Sequence, residues 1–312
     1  MVDNGNGAGR PLVYPYGPRH TPEMVADLSR RAMSFRIQVL RMVHQHQTGH
    51  IGGAFSIAEV LTALYFHHLR LDPARPAWPN RDRLVFSKGH ACAMLYTCLA
   101  HRGYFPVEEL ATFRSLGSRL QGHPERQKTP GVEVPAGPLG HGVAIGAGMA
   151  LAAWMGPAKG GVPRRRKGHP RYRVYVVLGD GEIDAGVIWE GALVAARYQL
   201  GNLVAILDYN GVQQTGATVD VMPTEPIGDK WRAFGWHVIE VHGHNVAQVL
   251  DALDEADEIH ARPVIIVART TKGKGVSFME YDNVWHGKPP NDEQFAAALA
   301  ELEEGVAQWQ NG

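Results

Sequence analysis

The strongest constraint on the fold of this chain is the alternation of short apolar runs with helical patterns in its second half. The runs are continuously apolar, which is typical of strands that are buried on both faces of a parallel sheet. The pattern predicts strands at residues 174–178, 203–207, 236–241 and 264–268, with helices such as 187–198 and 246–260 between them. The expected fold class is therefore α/β, a parallel sheet with helices on both faces.

The first half of the chain is predicted to be mainly helical. Thr21 and Pro22 begin a long amphipathic helix that continues to Gly49. Ser56 with Glu59 forms a capping-box pattern that predicts a second helix through residue 69.

A short strand at residues 84–86 and a buried helix at 91–100 follow these two helices. We expect a flexible tail at residues 1–20 and a single domain at 21–312.

Composition excludes several classes of partner. Thirty-one basic residues balance thirty-one acidic ones, so no global charge attracts nucleic acid or an anionic membrane. No apolar run is long enough to span a membrane, and residues 1–10 lack the apolar core of a secretory signal. Cys92 and Cys98 lack the spacing of a metal or redox pair. These features indicate a cytoplasmic protein with reduced cysteines.

Two segments outside the helices and strands carry a prediction. Residues 117–140 are rich in Gly and Pro, and a long loop of this kind in a compact domain usually lines a functional site. The basic run at residues 164–167 lies in a Gly- and Pro-rich insertion, where it forms either a solvated loop or a recruitment patch.

Two loops at strand ends carry the most specific chemistry. Gly179-Asp180-Gly181 follows one predicted strand, and Asp208-Tyr209-Asn210-Gly211 ends the next. Because parallel strands end at the same edge of a sheet, Asp180 and Asn210 are expected to converge. Their side-chain oxygens and the carbonyl of Val212 suit Mg²⁺, which binds oxygen ligands together with phosphates. The alternative is that both segments are ordinary turns.

The surrounding segments extend this pattern into a resemblance to the transketolase family of thiamine diphosphate enzymes. The ordered segments cover residues 20 to 290 and match only the family's first domain, a thiamine diphosphate-binding fold of the PP type. The matching segments are TGHIGG at 48–53, FSKGHA at 86–91, FRSLGSR at 113–119, GHPE at 122–125, GPLGHG at 137–142, GDG at 179–181, YNG at 209–211 and WHG at 285–287.

The resemblance implies a role for individual residues. Asp180, Asn210 and the Val212 carbonyl would bind Mg²⁺, or another divalent cation such as Ca²⁺ or Mn²⁺. The cofactor-binding residues would be His90, Gly137, Leu139, Gly179, Asp180, Gly181, Asn210 and His286. The substrate channel would be lined by the catalytic residues His50, His123, His286 and Arg114.

The resemblance also implies a partner and an activity. The family's pyrimidine-binding domain, which activates the cofactor, has no counterpart in these 312 residues. We therefore expect a second transketolase subunit, a heterotetramer with two copies of each chain, and transfer of a two-carbon ketol unit from a ketose phosphate to an aldose. The alternatives are a specialised carboligase, such as a 1-deoxyketose-forming or secondary-metabolite enzyme, and a non-catalytic scaffold subunit.

This sequence departs from the family's pattern at a few positions. Ala185 stands where many members have a glutamate that couples paired active sites. Gln213 and Gln214 stand where relatives often have less polar residues beside the thiazolium. Lys272 and Lys274, in the segment TKGKG at 271–275, either approach an anionic substrate or carry exposed loop charges.

Overall fold

The computed structural model describes residues 20–155 and 169–308. The predicted tail, apart from His20, and the basic run at 164–167 lie outside the described residues. Within them, five parallel strands form one sheet in the order β1-β2-β3-β5-β4. The strands are β1 (Arg83–Phe86), β2 (Val174–Gly179), β3 (Leu203–Tyr209), β4 (His237–His242) and β5 (Val264–Arg269). The predicted strands are confirmed to within one or two residues.

Helices cover both faces of the sheet, as the apolar strands predicted. The α-helices are α1 (Pro22–His46), α2 (Ile51–Ser56), α3 (Ala58–Ala63), α4 (Cys92–Arg102), α5 (Gly142–Trp154), α6 (Gly186–Arg197), α7 (Thr218–Val221), α8 (Ile227–Ala233), α9 (Val246–Glu258) and α10 (Asp292–Gln308). One face packs against α1–α4, α9 and α10, and the other packs against α5, α6 and α8. No helix of the described residues is long and apolar enough to cross a bilayer.

The start of α1 follows the sequence rules. Thr21 is its N-cap, with a side-chain oxygen that accepts a hydrogen bond from the N–H of Met24. The helix ends at His46, three residues before the predicted Gly49, because Gln47 adopts a left-handed conformation with φ of 48°.

The capping box predicted for Ser56 and Glu59 is wrong. Ser56 is the last residue of α2, and its hydroxyl donates to the carboxylate of Asp208. Glu59 instead forms a buried ion pair with Arg36 of α1. Tertiary contacts of these two buried side chains therefore replace the local capping hydrogen bonds.

The strand register determines where the site lies. Gly179, the last residue of β2, pairs with Asp208 of β3, which in turn pairs with Ala268 of β5. Phe86 ends β1 beside Val177. The loops that follow these four strands therefore begin at one edge of the sheet, where ligands of open α/β sheets bind.

Candidate functional site

The two predicted metal-binding loops meet at this edge of the sheet. The Oδ2 atom of Asp180 accepts hydrogen bonds from the N–H of Gly211 at 2.6 Å and from the hydroxyl of Thr218 at 3.3 Å. Its Oδ1 atom accepts from the N–H of Gly181 at 2.9 Å. The carboxylate is almost fully buried, and burial together with the nearby charge of Asp208 raises the pKa of Asp180. A bound cation would offset this cost of burying a carboxylate.

Asn210 supplies the second predicted ligand and is held from both sides. Its Oδ1 atom accepts from the N–H of Val212 at 3.1 Å, and its Nδ2 atom donates to Asp208 at 3.4 Å. Asp180, Asn210 and Val212 line one cavity of about 340 Å³. The available donors are oxygens of a carboxylate, an amide and a main-chain carbonyl, which fit Mg²⁺.

Among the described residues, no three or more His, Cys, Asp and Glu side chains form a cluster that could hold a metal. A metal at this edge would therefore need the mixed oxygen ligands above, with phosphate oxygens and water in the remaining positions.

The cavity collects almost all the residues that the sequence assigned to the site. Arg114 is the exception, because it does not line this cavity. The predicted residues that line the cavity are His50, His90, His123, Gly137, Leu139, Gly179, Asp180, Gly181, Asn210, Val212 and His286. The lining also includes Glu182, Gln213, Gln214, Lys88, Lys272 and Gly53.

Arg114 lies beside the histidines rather than against the cavity wall. Its φ is 59°, and its Nη1 atom donates to the hydroxyl of Thr48. Burial and the charge of Arg114 lower the pKa of both His50 and His123. The guanidinium therefore disfavours protonation of these two histidines.

Three histidines form a compact cluster inside the cavity. The ring centroids of His50, His90 and His286 lie 5.1–5.3 Å from one another. Burial is the main cause that lowers the pKa of His50 to about 4, that of His90 to about 2 and that of His286 to about 3. Neighbouring positive charges add to this effect. All three rings are therefore neutral at pH 7 and able to donate and accept hydrogen bonds.

Two buried lysines line the cavity, and Lys88 is paired there with the carboxylate of Asp208. Both Lys88 and Lys272 are 2% exposed. Lys272 donates to the carbonyls of Val212 and Gln213 and contacts Nδ1 of His286, each at 3.0 Å. Burial lowers the pKa of Lys272 to about 8.

The structure therefore excludes an exposed position for Lys272, one of the two alternatives that the sequence left open. Lys274, two residues later, is partly exposed and pairs with Glu280. The buried position of Lys272 had no signal in the sequence, because the surrounding TTKGKG segment has the composition of an exposed loop.

Asp208 organises the floor of the cavity, and sequence reasoning missed it. It is fully buried and accepts hydrogen bonds from Lys88, Ser56, Thr270 and Asn210. Burial opposes its ionisation, but the charge of Lys88 and these hydrogen bonds outweigh burial and lower the pKa of Asp208. This carboxylate thus fixes the amide of Asn210 so that its oxygen remains available.

Glu182 is a second missed residue, and it joins the loop of Gly137 and Leu139 to the strand ends. Its carboxylate accepts from the N–H of Gly140 at 2.8 Å, from the N–H of Gly179 at 3.1 Å and from the hydroxyl of Ser87. Burial raises its pKa. The predicted long loop, residues 117–140, contains no helix or strand, and it does line the site.

The structure shows what surrounds the residues that depart from the family pattern. The Cβ of Ala185 lies close to Gly140, and a Cβ added at residue 140 would clash with it. The side chain of Gln213 packs over Gly181 and donates to Asp184 at 3.0 Å. Gln214 is exposed, and its carbonyl accepts from Asn283 at 3.1 Å.

Comparisons with known proteins agree with this geometry. Residues 29–304 match the family described as transketolase, thiamine diphosphate binding domain. A 6-deoxy-6-sulfo-D-fructose transketolase subunit of Clostridium sp. is 42% identical, over 90% of this chain and 98% of that protein. An apulose-4-phosphate transketolase subunit of Phocaeicola vulgatus is 40% identical, over 90% of this chain and 96% of that protein.

Solved transketolases have the same fold over a part of their length. The Leishmania mexicana enzyme superposes with a TM-score of 0.77 at 30% identity, over 92% of this chain and 45% of that chain. A Pichia stipitis transketolase superposes with a TM-score of 0.77 at 32% identity, over 91% of this chain and 45% of that chain. The chain thus spans less than half of these longer enzymes but nearly all of the two subunits above. It belongs to the transketolase family, within which it matches the thiamine diphosphate-binding domain.

Proposed function

We propose that this chain is the diphosphate- and metal-binding subunit of a two-subunit transketolase. It would act with a companion chain to transfer a two-carbon ketol unit from a ketose phosphate to an aldose acceptor. The observation that carries this proposal is the convergence of Asp180, Asn210 and the carbonyl of Val212 on one cavity that also contains Lys88 and Lys272. Oxygen ligands for a divalent cation and ammonium groups for an anion are what a metal diphosphate needs.

The chemistry of the site fits thiamine diphosphate. When bound, this cofactor supplies an electron sink for cleavage of the carbon–carbon bond next to a carbonyl. Asp180, Asn210 and Val212 would hold its Mg²⁺, or a Ca²⁺ or Mn²⁺ ion in its place. His90, Gly181 and Lys272 line the same cavity and would contact the diphosphate.

The neutral histidines would move protons to and from the sugar hydroxyls. Lys272 donates to Nδ1 of His286, so the proton of this neutral ring is on Nε2. His50 lines the same cavity as His286, and its buried Nδ1 has no hydrogen-bond partner among the described residues. His123 is more exposed and lies at the cavity wall, where a substrate would enter.

A companion chain is supported by an uncovered apolar surface. Helix α5 contains no charged residue over its thirteen positions, although one side of it faces solvent. It packs against α6, on which Leu193 and Val194 are 57% and 46% exposed, and Tyr198, directly after α6, is 48% exposed. An apolar patch of this kind marks a protein interface. We infer a heterotetramer with two copies of each subunit, in which this surface is covered.

The donor substrate distinguishes ketol transfer from 1-deoxyketose formation. The names of the two subunit relatives specify 6-deoxy-6-sulfo-D-fructose and apulose 4-phosphate. This favours a specialised sugar over pyruvate as donor, and so supports ketol transfer over 1-deoxyketose formation. A scaffold subunit is not favoured, because Asp180, Asn210 and Lys272 keep their buried polar groups directed at one cavity. Two free, buried cysteines support a reducing compartment, the cytoplasm.

Reconstitution tests the proposal. The chain would be mixed with its companion, thiamine diphosphate and Mg²⁺, and assayed with ketose phosphates, sulfonated ketoses and pyruvate as donors. We expect ketol transfer only by the complete mixture, and no turnover of pyruvate. Cofactor binding without turnover of any ketose would reject transketolase activity, and failure to bind the cofactor would favour the scaffold. An Asp180→Asn complex is the matched control, because it retains the shape of the site.

A further inference from the structure

We propose that His244 is a positioning residue of the cofactor site, which acts by fixing the turn that carries Lys272. His244 lies between β4 and α9 and is not among the residues that line the cavity. Its effect on diphosphate binding would pass through the backbone of Thr271. This inference rests on the proposed function, since Lys272 is taken as a contact of the diphosphate.

A single hydrogen bond connects His244 to this turn. The N–H of Thr271 donates to Nε2 of His244 at 2.8 Å. The other ring nitrogen, Nδ1, lies 2.9 Å from Oε2 of Glu59. Because Nε2 accepts from an N–H, it carries no proton, and Nδ1 must be the donor to Glu59. The tautomer of His244 is therefore fixed by the two groups it contacts.

A buried ion pair anchors the other end of this arrangement. Glu59 accepts from Nη1 and Nη2 of Arg36 at 2.6 and 2.7 Å, and Arg36 also donates to the carbonyl of Phe55. Burial opposes ionisation of Glu59, but the charge of Arg36 and the contact with His244 outweigh it and lower its pKa to about 2. The imidazole is thus held by a permanently ionised carboxylate.

The turn itself is closely constrained. The N–H of Gly273 donates to the carbonyl of Gly52 at 3.1 Å, and Gly273 has a φ of 78° with the backbone of Met279 packed against it. Between Thr271 and Gly273 lies Lys272, whose Nζ contacts three acceptors at the cavity. Fixing the backbone on both sides of a long, flexible side chain keeps its ammonium in one place.

The competing explanation is that this buried ion pair only holds α1 and α3 together. On that explanation, loss of His244 reduces stability but does not affect diphosphate binding specifically. The two side-chain amides separate the explanations. Gln places its amide near the position of Nε2 and can still accept from Thr271, whereas Asn places it near Nδ1 and can only contact Glu59.

The experiment compares His244→Asn with His244→Gln in the reconstituted complex with Mg²⁺. Affinity for thiamine diphosphate and for thiamine would be measured by calorimetry. We expect His244→Asn to weaken thiamine diphosphate binding about tenfold, which is the cost of one hydrogen bond, and to leave thiamine binding unchanged. His244→Gln should bind within about twofold of the wild type. If the Asn variant does not fold, the Gln variant still tests the inference, because a tenfold loss of diphosphate affinity with Gln would overturn it.

A double-mutant cycle with Lys272→Met tests whether the effect passes through this lysine. In the Lys272→Met background, His244→Asn should cause no further loss of affinity, because the group it positions is gone. Additive losses, equal losses with Gln and Asn, or equal weakening of thiamine would each overturn the inference. A wild-type complex that binds no thiamine diphosphate would reject the proposed function and this inference together, which distinguishes the two failures.

Discussion

The carboxylate of Asp180 reaches from the end of β2 to the N–H of Gly211 in the turn after β3, at 2.6 Å from Oδ2. This contact joins the two loops directly. It also places the amide of Asn210 in the same cavity, because Asn210 immediately precedes Gly211. The site is thus assembled by the protein's own hydrogen bonds, and a cation would add to a prepared arrangement.

Asp180→Asn should weaken Mg²⁺-dependent binding of thiamine diphosphate by about 100-fold or more. The amide keeps the shape of the side chain but removes its charge, and even partners that only orient a metal ligand cost about 10–100-fold when changed. Calorimetry of the reconstituted complex would measure this. Asp184→Asn is the control, because Asp184 is exposed and its carboxylate accepts from the side chain of Gln213. An unchanged affinity for Asp180→Asn would contradict the assignment of the metal site.

Asp208→Asn should destabilise the protein by about 3–5 kcal/mol, because it leaves the buried ammonium of Lys88 without its carboxylate. The double variant Lys88→Met with Asp208→Asn should lose less stability than Asp208→Asn alone, since the unpaired charge is also removed. Urea denaturation would measure both. Asp229→Asn serves as control, because this 71% exposed carboxylate forms only a surface pair and should change stability by less than about 1 kcal/mol.

Sequence reasoning located the strands and most of the site because both depend on local signals. The apolar runs that gave β2, β3 and β5 are read directly from the chain, and Asp180 and Asn210 follow the ends of two of them. Asp208 and Glu182 were missed as parts of the site, and the position of Lys272 was left undecided. Their roles arise from contacts between distant parts of the chain. Glu182 contacts Ser87, 95 positions away, and Asp208 contacts Ser56, 152 positions away.

The wrong capping-box prediction also shows that local sequence signals do not reveal long-range contacts. Ser56 and Glu59 have the right spacing for a helix start, but that spacing does not reveal which buried partner competes for each side chain. Here Asp208 and Arg36 are the partners, and charge-assisted hydrogen bonds in the interior are stronger than a local cap.

The histidine cluster should make the protein less stable in acid. The pKa of His50 falls from the usual 6.5 to about 4 in the folded protein, mainly because of burial. Between these values the unfolded chain binds a proton that the folded chain does not, so stability falls as the pH decreases from 7 towards 4. His50→Gln removes this proton uptake, and its unfolding midpoint should decline less steeply over that range.

Unfolding of the wild-type and His50→Gln complexes at several values from pH 7.5 to 5 would test this. The difference in slope should stay below about 1.4 kcal/mol per pH unit, the limit for a single group, because the His50 ring is only partly buried. His260→Gln is the control, because His260 is exposed and outside the cavity. Equal slopes for the wild type and His50→Gln would show that His50 is already accessible to protons in the folded protein.

The apolar surface of α5 and α6 should be required for assembly. Leu193→Asp places a carboxylate on this surface, where Ile145 of α5 and Val194 are also exposed. Burying that charge against a partner costs several kcal/mol without a compensating cation, so the complex should dissociate at micromolar concentration. Sedimentation of the mixed subunits would measure the loss of the larger species.

A matched control separates assembly from folding in this test. Ala261→Asp adds the same charge in an exposed turn between α9 and β5, outside α5 and α6, and should assemble like the wild type. Circular dichroism of both variants should be unchanged, because Leu193 is 57% exposed in the subunit. If Leu193→Asp assembles normally, the companion chain must cover a different surface. The exposed side of α5, which contains no charge, would then have no assigned partner.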